Sequence, residues 1–373
     1  MDNKIVFLIN TLKVGGAAKM LKYVANLLTE IFKDVTIVSL YDESYNGKDV
    51  HDSIRIVCLG FEHVSRIKRQ FIMVPETRKA INKLKPDFVC SFISHVCFIG
   101  RLATIGDKNI KYLSAERGDP YTQSFIWKSL IRWTFRRSDY SFFQLDGARD
   151  FFDRHTREKS FVIPNPFIPT GDMEPYNGVR KKTIISAGRF AKEKCYDILI
   201  DAFANVLKKH PEYRLILCGD GPMLPEYKNQ IAQLGIQDKV SFPGYVKSVS
   251  NAVREEGIFV LSSLYEGIPN SLIEAMAVGI PCVSTDCSPG GPRFLTNNGE
   301  RGLLIPTRDV NAMTKALLEL IEDSSKAEYY AQRAMEVIDD LNEEKIRMKW
   351  ESAFRHIIKE CSNVKSISNN TCL

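Results

Sequence analysis

What the chain lacks narrows the field first. No apolar run reaches the roughly 18 residues that a membrane-spanning helix needs. The opening Met1-Asp-Asn-Lys leads into a short apolar stretch, residues 5–9, that is wrongly flanked for a secretion signal. The nine cysteines are scattered, none pairs as Cys-x-x-Cys, and no histidine stands near them at metal-ligand spacing, so reduced core thiols are expected. Asp-x-Asp occurs nowhere, which leaves a divalent-metal clamp without obvious ligands. The dinucleotide fingerprint Gly-x-Gly-x-x-Gly is also missing, since Ala-Ala-Lys follows Gly15-Gly16. Helix-turn-helix, zinc and RNA-sheet signatures are absent, which disfavours nucleic acid. The expectation is a cytoplasmic chain with no cofactor and no metal.

What is present is ordinary globular protein: 373 residues, 44% hydrophobic and 26% charged, enough for two domains. Charge is uneven. Residues 1–160 hold 26 Lys and Arg against 18 Asp and Glu, a net of +8, and the remainder holds 25 against 27. A basic half of this kind suits an anionic membrane surface or an acidic acceptor.

Short apolar strands alternate with helical patterns along the first half. Residues 4–9 read as a buried strand, 17–31 as an amphipathic helix and 35–40 as the next strand. Strands follow at 54–59, 87–92, 110–114 and 161–163, with helices at 77–85 and 124–137. Residues 164–181 are dense in Pro and Gly, a linker by composition. The rhythm then restarts, with strands at 183–187, 214–218, 239–242, 258–261 and 281–284. Strand, helix, strand argues parallel sheets, and two doubly wound domains result. From 309 to 360 the pattern is almost wholly helical.

In such sheets ligands bind where glycine-rich turns meet helix starts at the carboxyl ends of strands. Function is most legible in Glu266-Gly-Ile-Pro-Asn-Ser-Leu-Ile-Glu274, where Glu266 precedes a helix and Glu274 lies inside it. Pro269 suits the first helical position, Gly279 a left-handed stop, and Pro281 forbids continuation. A helix start at Gly267, Ile268, Pro269 and Asn270 offers backbone N–H groups, Pro269 excepted, to a phosphate, and a carboxylate further in can accept from ribose hydroxyls. A solvated helix with two surface acids is the plainer alternative. Upstream, Gly188-Arg-Phe-Ala-Lys-Glu-Lys194 closes a strand with Arg189 as a planar fork and Lys194 as a mobile charge, a pair fit to neutralise a departing dianion. Gly219-Asp-Gly-Pro222 reads as a tight turn. Gly15-Gly16 lets the backbone approach a diphosphate without a Cβ in the way.

Together these stretches resemble the retaining glycosyltransferases of family 4, which have the GT-B architecture and nucleotide-sugar donors. The resemblance covers residues 15–293 in family order. Ser284-Thr-Asp-Cys-Ser-Pro-Gly-Gly-Pro-Arg293 resembles the loop of its bacterial surface-polysaccharide branch, with Arg293 a group that could point inward. Ser114-Ala-Glu116-Arg-Gly-Asp-Pro120 resembles that branch's Ser-Glu-Arg-Asn-Asp-Pro element. One departure is Ala18, where the family usually carries an acid.

The resemblance implies two Rossmann-like domains facing a central cleft: an acceptor-side domain over 1–165, a linker over 166–181, a donor domain over 182–345, and a helix with tail over 346–373 crossing back, anchored by Trp350. It implies that Gly15, Gly16, Gly188, Arg189 and Lys194 hold the diphosphate, that Glu274 holds ribose, and that Glu266 stands near the donor sugar or phosphate. Glu116 would orient or deprotonate the acceptor hydroxyl, with His95 its rival. The expected reaction moves a hexose or N-acetylhexosamine, UDP-linked, onto a lipid-linked glycan in surface polysaccharide assembly. A nucleotide-sugar 2-epimerase of the same architecture, or a non-catalytic membrane-associated binder, remains the alternative.

Residues 124–137 also gather Trp127, Leu130, Ile131 and Thr134 on one helical face and Lys128, Arg132 and Arg136 on another. That pattern fits a helix lying on an anionic membrane surface, which would make the protein peripheral on the inner face of the cytoplasmic membrane. A core helix with a solvated basic side fits at least as well. Residues 67–78 form a weaker second candidate.

Overall fold

The computed structural model describes residues 3–370 apart from 14, 48, 170–172 and 177. Part of the Pro- and Gly-rich linker and the last three residues of the tail therefore lie outside the described residues, as do the side chains of residues 66, 67, 70 and 363–370. The chain divides into two units, Met1–Asn165 with Glu344–Leu373, and Pro166–Glu343.

The first unit is built on seven parallel strands: β1 (Lys4–Ile9), β2 (Asp34–Ser39), β3 (Arg55–Cys58), β4 (Phe88–Phe92), β5 (Lys111–Glu116), β6 (Tyr140–Phe143) and β7 (Ser160–Val162). They lie in the order β3-β2-β1-β4-β5-β6-β7. Four longer helices connect them: α1 (Gly16–Leu28), α2 (Arg66–Leu84), α3 (Ser94–Ala103) and α4 (Phe125–Arg136). The pleat sends alternate side chains of β1 to opposite faces. Ile5, Phe7 and Ile9 pack with Leu21, Val24 and Leu28 of α1, whereas Val6 and Leu8 pack with Met73 and Ile81 of α2 and Val96 and Ile99 of α3. Both faces are thus covered, as a parallel sheet requires.

The final helix, Glu343–Asn370, completes the first face with Ile346, Trp350, Phe354, Ile357 and Ile358. The Trp350 ring lies 4.8 Å from that of Phe142, and the Arg117 guanidinium sits 5.9 Å from its centroid.

The second unit carries six parallel strands: β8 (Thr183–Ala187), β9 (Arg214–Cys218), β10 (Val240–Gly244), β11 (Ile258–Leu261), β12 (Cys282–Thr285) and β13 (Leu303–Ile305). Their order is β10-β9-β8-β11-β12-β13. In both sheets strand order reverses at a central pair, β1/β4 in one and β8/β11 in the other, the place where doubly wound sheets open a crevice at their carboxyl ends.

Two local readings change, and a third position is decided. Helix α2 begins at Arg66, well before residue 77, because its body accommodates Pro75. Pro269 is the N-cap, and its helix begins at Asn270; Gly279 does adopt the left-handed stop, with φ +68°. The apolar face of α4 is spent on the core: Ile131, Thr134 and Phe135 are buried, while Phe125 and Ile126 in the first turn stand exposed. That face therefore follows the core-helix reading of residues 124–137.

Candidate active site

The carboxyl edge of the second sheet carries a cavity of about 550 Å³ at the β8/β11 switch point. Each wall is a loop that leaves a strand: Gly188–Lys194 after β8, Cys218–Asp220 after β9, Tyr245–Lys247 after β10, and Glu266–Ser271 after β11. Because every strand runs the same way, these turns converge without any local sequence relation between them.

Lys194 and Glu266 close the switch point. Lys194 Nζ lies 2.5 Å from Glu266 Oε1, and Ser263 Oγ donates to the same oxygen at 2.7 Å. Ser262 Oγ donates to the Lys194 carbonyl at 2.7 Å, fixing the backbone from which the lysine reaches. Sequence reasoning does not single out Ser263; its only signal is the Ser-Ser that ends the apolar run of β11.

Glu274 lies one turn into the Asn270–Ala277 helix, and its Oε2 accepts from the backbone N–H groups of Val249 at 2.9 Å and Ser250 at 3.3 Å. The carboxylate thereby holds the start of the Val249–Val253 helix against the cavity. Asn270 and Ser271, at the N-terminus of the same helix, line the same space, where the helix dipole favours an anion. Arg189 is 72% exposed at the rim, with its guanidinium 2.9 Å from Glu193 Oε1. It is present at the cavity without being locked into it. Burial pushes the Cys218 thiol at the cavity wall up to about 11, so it stays protonated at neutral pH.

Two glycine contacts explain why the flanking loops read as they do. A Cβ on Gly219, at φ +141°, would stand 2.0 Å from the Gly188 carbonyl oxygen. The Gly219-Asp-Gly221 turn is therefore a close backbone packing that shapes the Gly188 loop. A Cβ on Gly291 would meet the Gly267 carbonyl at 1.5 Å, and the Glu266 N–H donates to the Ser288 carbonyl at 2.9 Å. The 284–293 loop braces the Glu266 loop from behind. Arg293 does not point inward: it pairs with Asp286 at the surface.

The remaining sequence candidates lie in the first unit, at the carboxyl edge of its own sheet. Gly15, φ +103°, caps α1, and a Cβ on either Gly15 or Gly16 would meet no atom within 4 Å. The preceding loop is fixed by buried Asp42, which accepts from Thr11 Oγ1 at 2.7 Å and from the Leu12 N–H at 2.6 Å. Ala18 is buried in the core behind this loop, a position that suits no charge.

Glu116 ends β5 with only 4% exposure. Its Oε1 accepts from the N–H groups of Arg117 at 3.0 Å and Gly118 at 2.9 Å, and Oε2 accepts from Ser94 Oγ. Burial raises its pKa, against the pull of those hydrogen bonds. Both oxygens are thus occupied in holding the Arg117-Gly118 turn to the start of α3. His95, in the first turn of α3, packs edge-on against Trp127 with ring centroids 5.5 Å apart. Among the described residues no group of three or more His, Cys, Asp or Glu side chains is placed to hold a metal ion.

Known proteins resemble this chain in sequence and fold. Residues 174–337 match the family model of the glycosyl transferases group 1. An exopolysaccharide phosphotransferase of Streptomyces coelicolor is 33% identical over 198 residues, 53% of this chain but 21% of that protein, so the chain spans about a fifth of that relative. An undecaprenol-diphosphate-glycan α-1,4-N-acetylgalactosaminyltransferase of Campylobacter jejuni is 26% identical over 361 residues, 93% of this chain and 97% of its own length. The crystal structure of Anabaena HepE in complex with UDP-glucose shares the fold, with a TM-score of 0.74 at 16% identity over 95% of this chain and 99% of that one. With two Rossmann-like sheets of the GT-B kind, and with residues 174–337 of the unit that holds the cavity matched by that family model, this chain is similar to the glycosyl transferases group 1.

Proposed function

We propose that this protein is a retaining glycosyltransferase that moves a hexose or N-acetylhexosamine from a UDP-sugar to a hydroxyl of a lipid-linked glycan in surface polysaccharide assembly. The observation that carries the reading is the convergence of Arg189, the Lys194–Glu266 pair, Glu274 and the Asn270 helix start on one cavity. The diphosphate is held by the helix start, Arg189 and Lys194, which neutralise it as it leaves. Glu274 takes ribose hydroxyls, and Glu266 stands by the donor sugar. The bond from the anomeric carbon to the diphosphate oxygen breaks, the acceptor oxygen bonds that carbon on the same face, and the hydroxyl proton passes to the departing phosphate. Gly15 and Gly16 leave backbone room for a phosphate at the first unit's own sheet edge. Glu116 acts as a positioning residue through the turn that it holds on the acceptor side.

Turnover without a divalent cation belongs to the same reading, supported by the lack of Asp-x-Asp and by the cationic groups at the cavity. The lipid-linked acceptor is supported by the name of the Campylobacter relative, and the uridine base by the ligand of the Anabaena structure.

The test is thermal-shift and donor-hydrolysis screening of the purified chain against UDP-, GDP-, ADP- and CMP-sugars, with and without EDTA. Stabilisation by UDP-sugars, unaffected by EDTA and accompanied by slow release of free sugar, supports the reading. Isomerisation of the sugar without an acceptor would replace it with the epimerase. No stabilisation by any nucleotide sugar would leave a non-catalytic, membrane-associated role.

A further inference from the structure

The walls of the second unit's cavity leave the carboxyl ends of parallel strands, so the elements that carry them have their far ends at the opposite, amino edge of the sheet. The helix Asn270–Ala277 starts at the cavity and is stopped at Gly279, just before β12. The helix Val249–Val253 also starts there and stops at Arg254. Strand β11 is entered through Glu256 and Gly257 and leads up to the Glu266 loop.

One side chain meets all three far ends. Arg180 lies just before β8, at the end of the Pro- and Gly-rich stretch. Its Nη1 donates to the carbonyls of Arg254 at 2.9 Å and Glu256 at 3.2 Å, and its Nη2 donates to the carbonyl of Gly279 at 2.5 Å. A guanidinium suits this task because it holds several donors in a fixed planar fork, whereas a lysine ammonium is a point charge on a mobile stem. Its charge also stands at the negative end of the Asn270–Ala277 helix, where a cation is favoured.

The turn that enters β11 has a second clamp. Thr183 Oγ1 donates to Glu256 Oε2 at 2.6 Å and accepts from the Gly257 N–H at 3.0 Å, and a Cβ on Gly257 would stand 2.5 Å from the Lys181 carbonyl. That turn therefore does not depend on Arg180 for its shape. What Arg180 adds is the link from the turn to Gly279, and so to the helix whose other end lines the cavity. The helix has eight residues, about 12 Å of length, and a shift at its far end is carried to the cavity.

We propose that Arg180 is a positioning residue for the donor cavity, setting from the opposite edge of the sheet where the Asn270 helix start, Glu266 and Glu274 stand. The proposal rests on the reading of that cavity as the nucleotide-sugar site. Beside Arg180 lies a second cavity, of about 440 Å³, lined also by Tyr176, Tyr213, Pro281 and Glu328. It gives a small solute access to the place of the guanidinium, which makes chemical rescue possible.

The experiment compares Arg180→Ala and Arg180→Lys with wild type. Titration calorimetry should show UDP bound about tenfold more weakly by Arg180→Ala. Sugar release at saturating UDP-glucose or UDP-N-acetylglucosamine should stay within about threefold of wild type, a loss of binding with the chemistry kept. Guanidinium chloride at about 20 mM, far below denaturing concentrations, should restore most of the affinity to Arg180→Ala, and equal sodium chloride should not. Arg180→Lys keeps the charge without the fork and should fall between the two. A lowered melting temperature with wild-type UDP affinity overturns the proposal and leaves Arg180 a stabilising residue. So does a loss of affinity that neither guanidinium nor Arg180→Lys relieves. Should Arg180→Ala fail to fold, wild-type affinity in Arg180→Lys overturns it. Hydrogen exchange decides the proposal even where the wild-type chain binds no nucleotide sugar, the outcome that ends the functional reading instead. The N–H groups of Val249, Ser250 and Glu266 should exchange faster in Arg180→Ala and slow again with guanidinium, and wild-type exchange at all three overturns the proposal.

Discussion

Lys194 and Glu266, 72 positions apart in sequence, meet as an ion pair with Nζ 2.5 Å from Oε1 and side chains only 18% and 16% exposed. The pair ties the loop after β8 to the loop after β11 across the point where strand order reverses. A lysine held this way has its charge placed at the cavity before any donor arrives, and Glu266 is held by Ser263 as well. Site geometry and local stability are therefore coupled at this point.

The first prediction follows from that coupling. Lys194→Ala leaves a mostly buried carboxylate with one partner fewer and should destabilise the protein by about 1–3 kcal/mol. Lys194→Ala with Glu266→Ala should recover part of that loss, because the unpaired charge is gone. Chemical unfolding of both variants measures it. Additive losses would show that the two side chains do not interact in solution.

Glu274 has a structural task that separates it from a purely ligand-binding acid. Glu274→Ala removes the acceptor of the Val249 and Ser250 N–H groups and should cost about 1 kcal/mol of stability, in the range of a lost helix cap. Glu274→Gln keeps one amide oxygen for those donors and should retain most of it. Titration calorimetry with UDP then isolates the ribose assignment: weak binding by both variants supports it, and wild-type affinity in Glu274→Gln removes Glu274 from the ribose.

Two glycines give opposite outcomes. Gly291→Ala forces a Cβ to within 1.5 Å of the Gly267 carbonyl, backbone that cannot rotate away, and should cost at least about 1–3 kcal/mol while disturbing the Glu266 loop. Gly16→Ala meets no neighbouring atom and sits in the first turn of α1, so the melting temperature should be unchanged or slightly raised. If Gly16 gives the donor diphosphate its backbone approach, Gly16→Ala should still raise KM for the donor. An unchanged KM would take Gly16 out of the donor site.

Trp350 is fully buried between Phe142 and Phe354 in the first unit's core. Trp350→Ala should cost about 3–5 kcal/mol. Hydrogen exchange should show the loss in the final helix and in β1 and β6. Protection in β8, β9 and β11 should be much less affected, since their core is a separate cluster.

Much of this is legible in the chain. Apolar runs such as residues 4–9 and 183–187 mark strands because both faces of a parallel strand are buried, and Gly188, Gly219 and Gly279 mark places where the backbone turns sharply or approaches closely. The two halves of α2 read as separate stretches, 67–78 and 77–85, because Pro75 weakens the helical signal although the fold tolerates it. The exposed turn of α4 is hidden because a periodicity averaged over the helix counts Phe125 and Ile126 with the core residues they do not join.

By itself the sequence determined most of the element order, without β6 and β13, together with the parallel character of both sheets and the residue types at most strand ends, because those depend on neighbours one to four positions away. Only the tertiary structure decided that β11 lies beside β8, that Lys194 therefore meets Glu266, that Gly291 packs on Gly267, and that Glu116 turns both oxygens to Ser94 and the Arg117-Gly118 turn. Period and propensity carry no record of strand order. Contacts across tens of residues are set by which arrangement buries both faces of the sheet at once, a property of the whole chain.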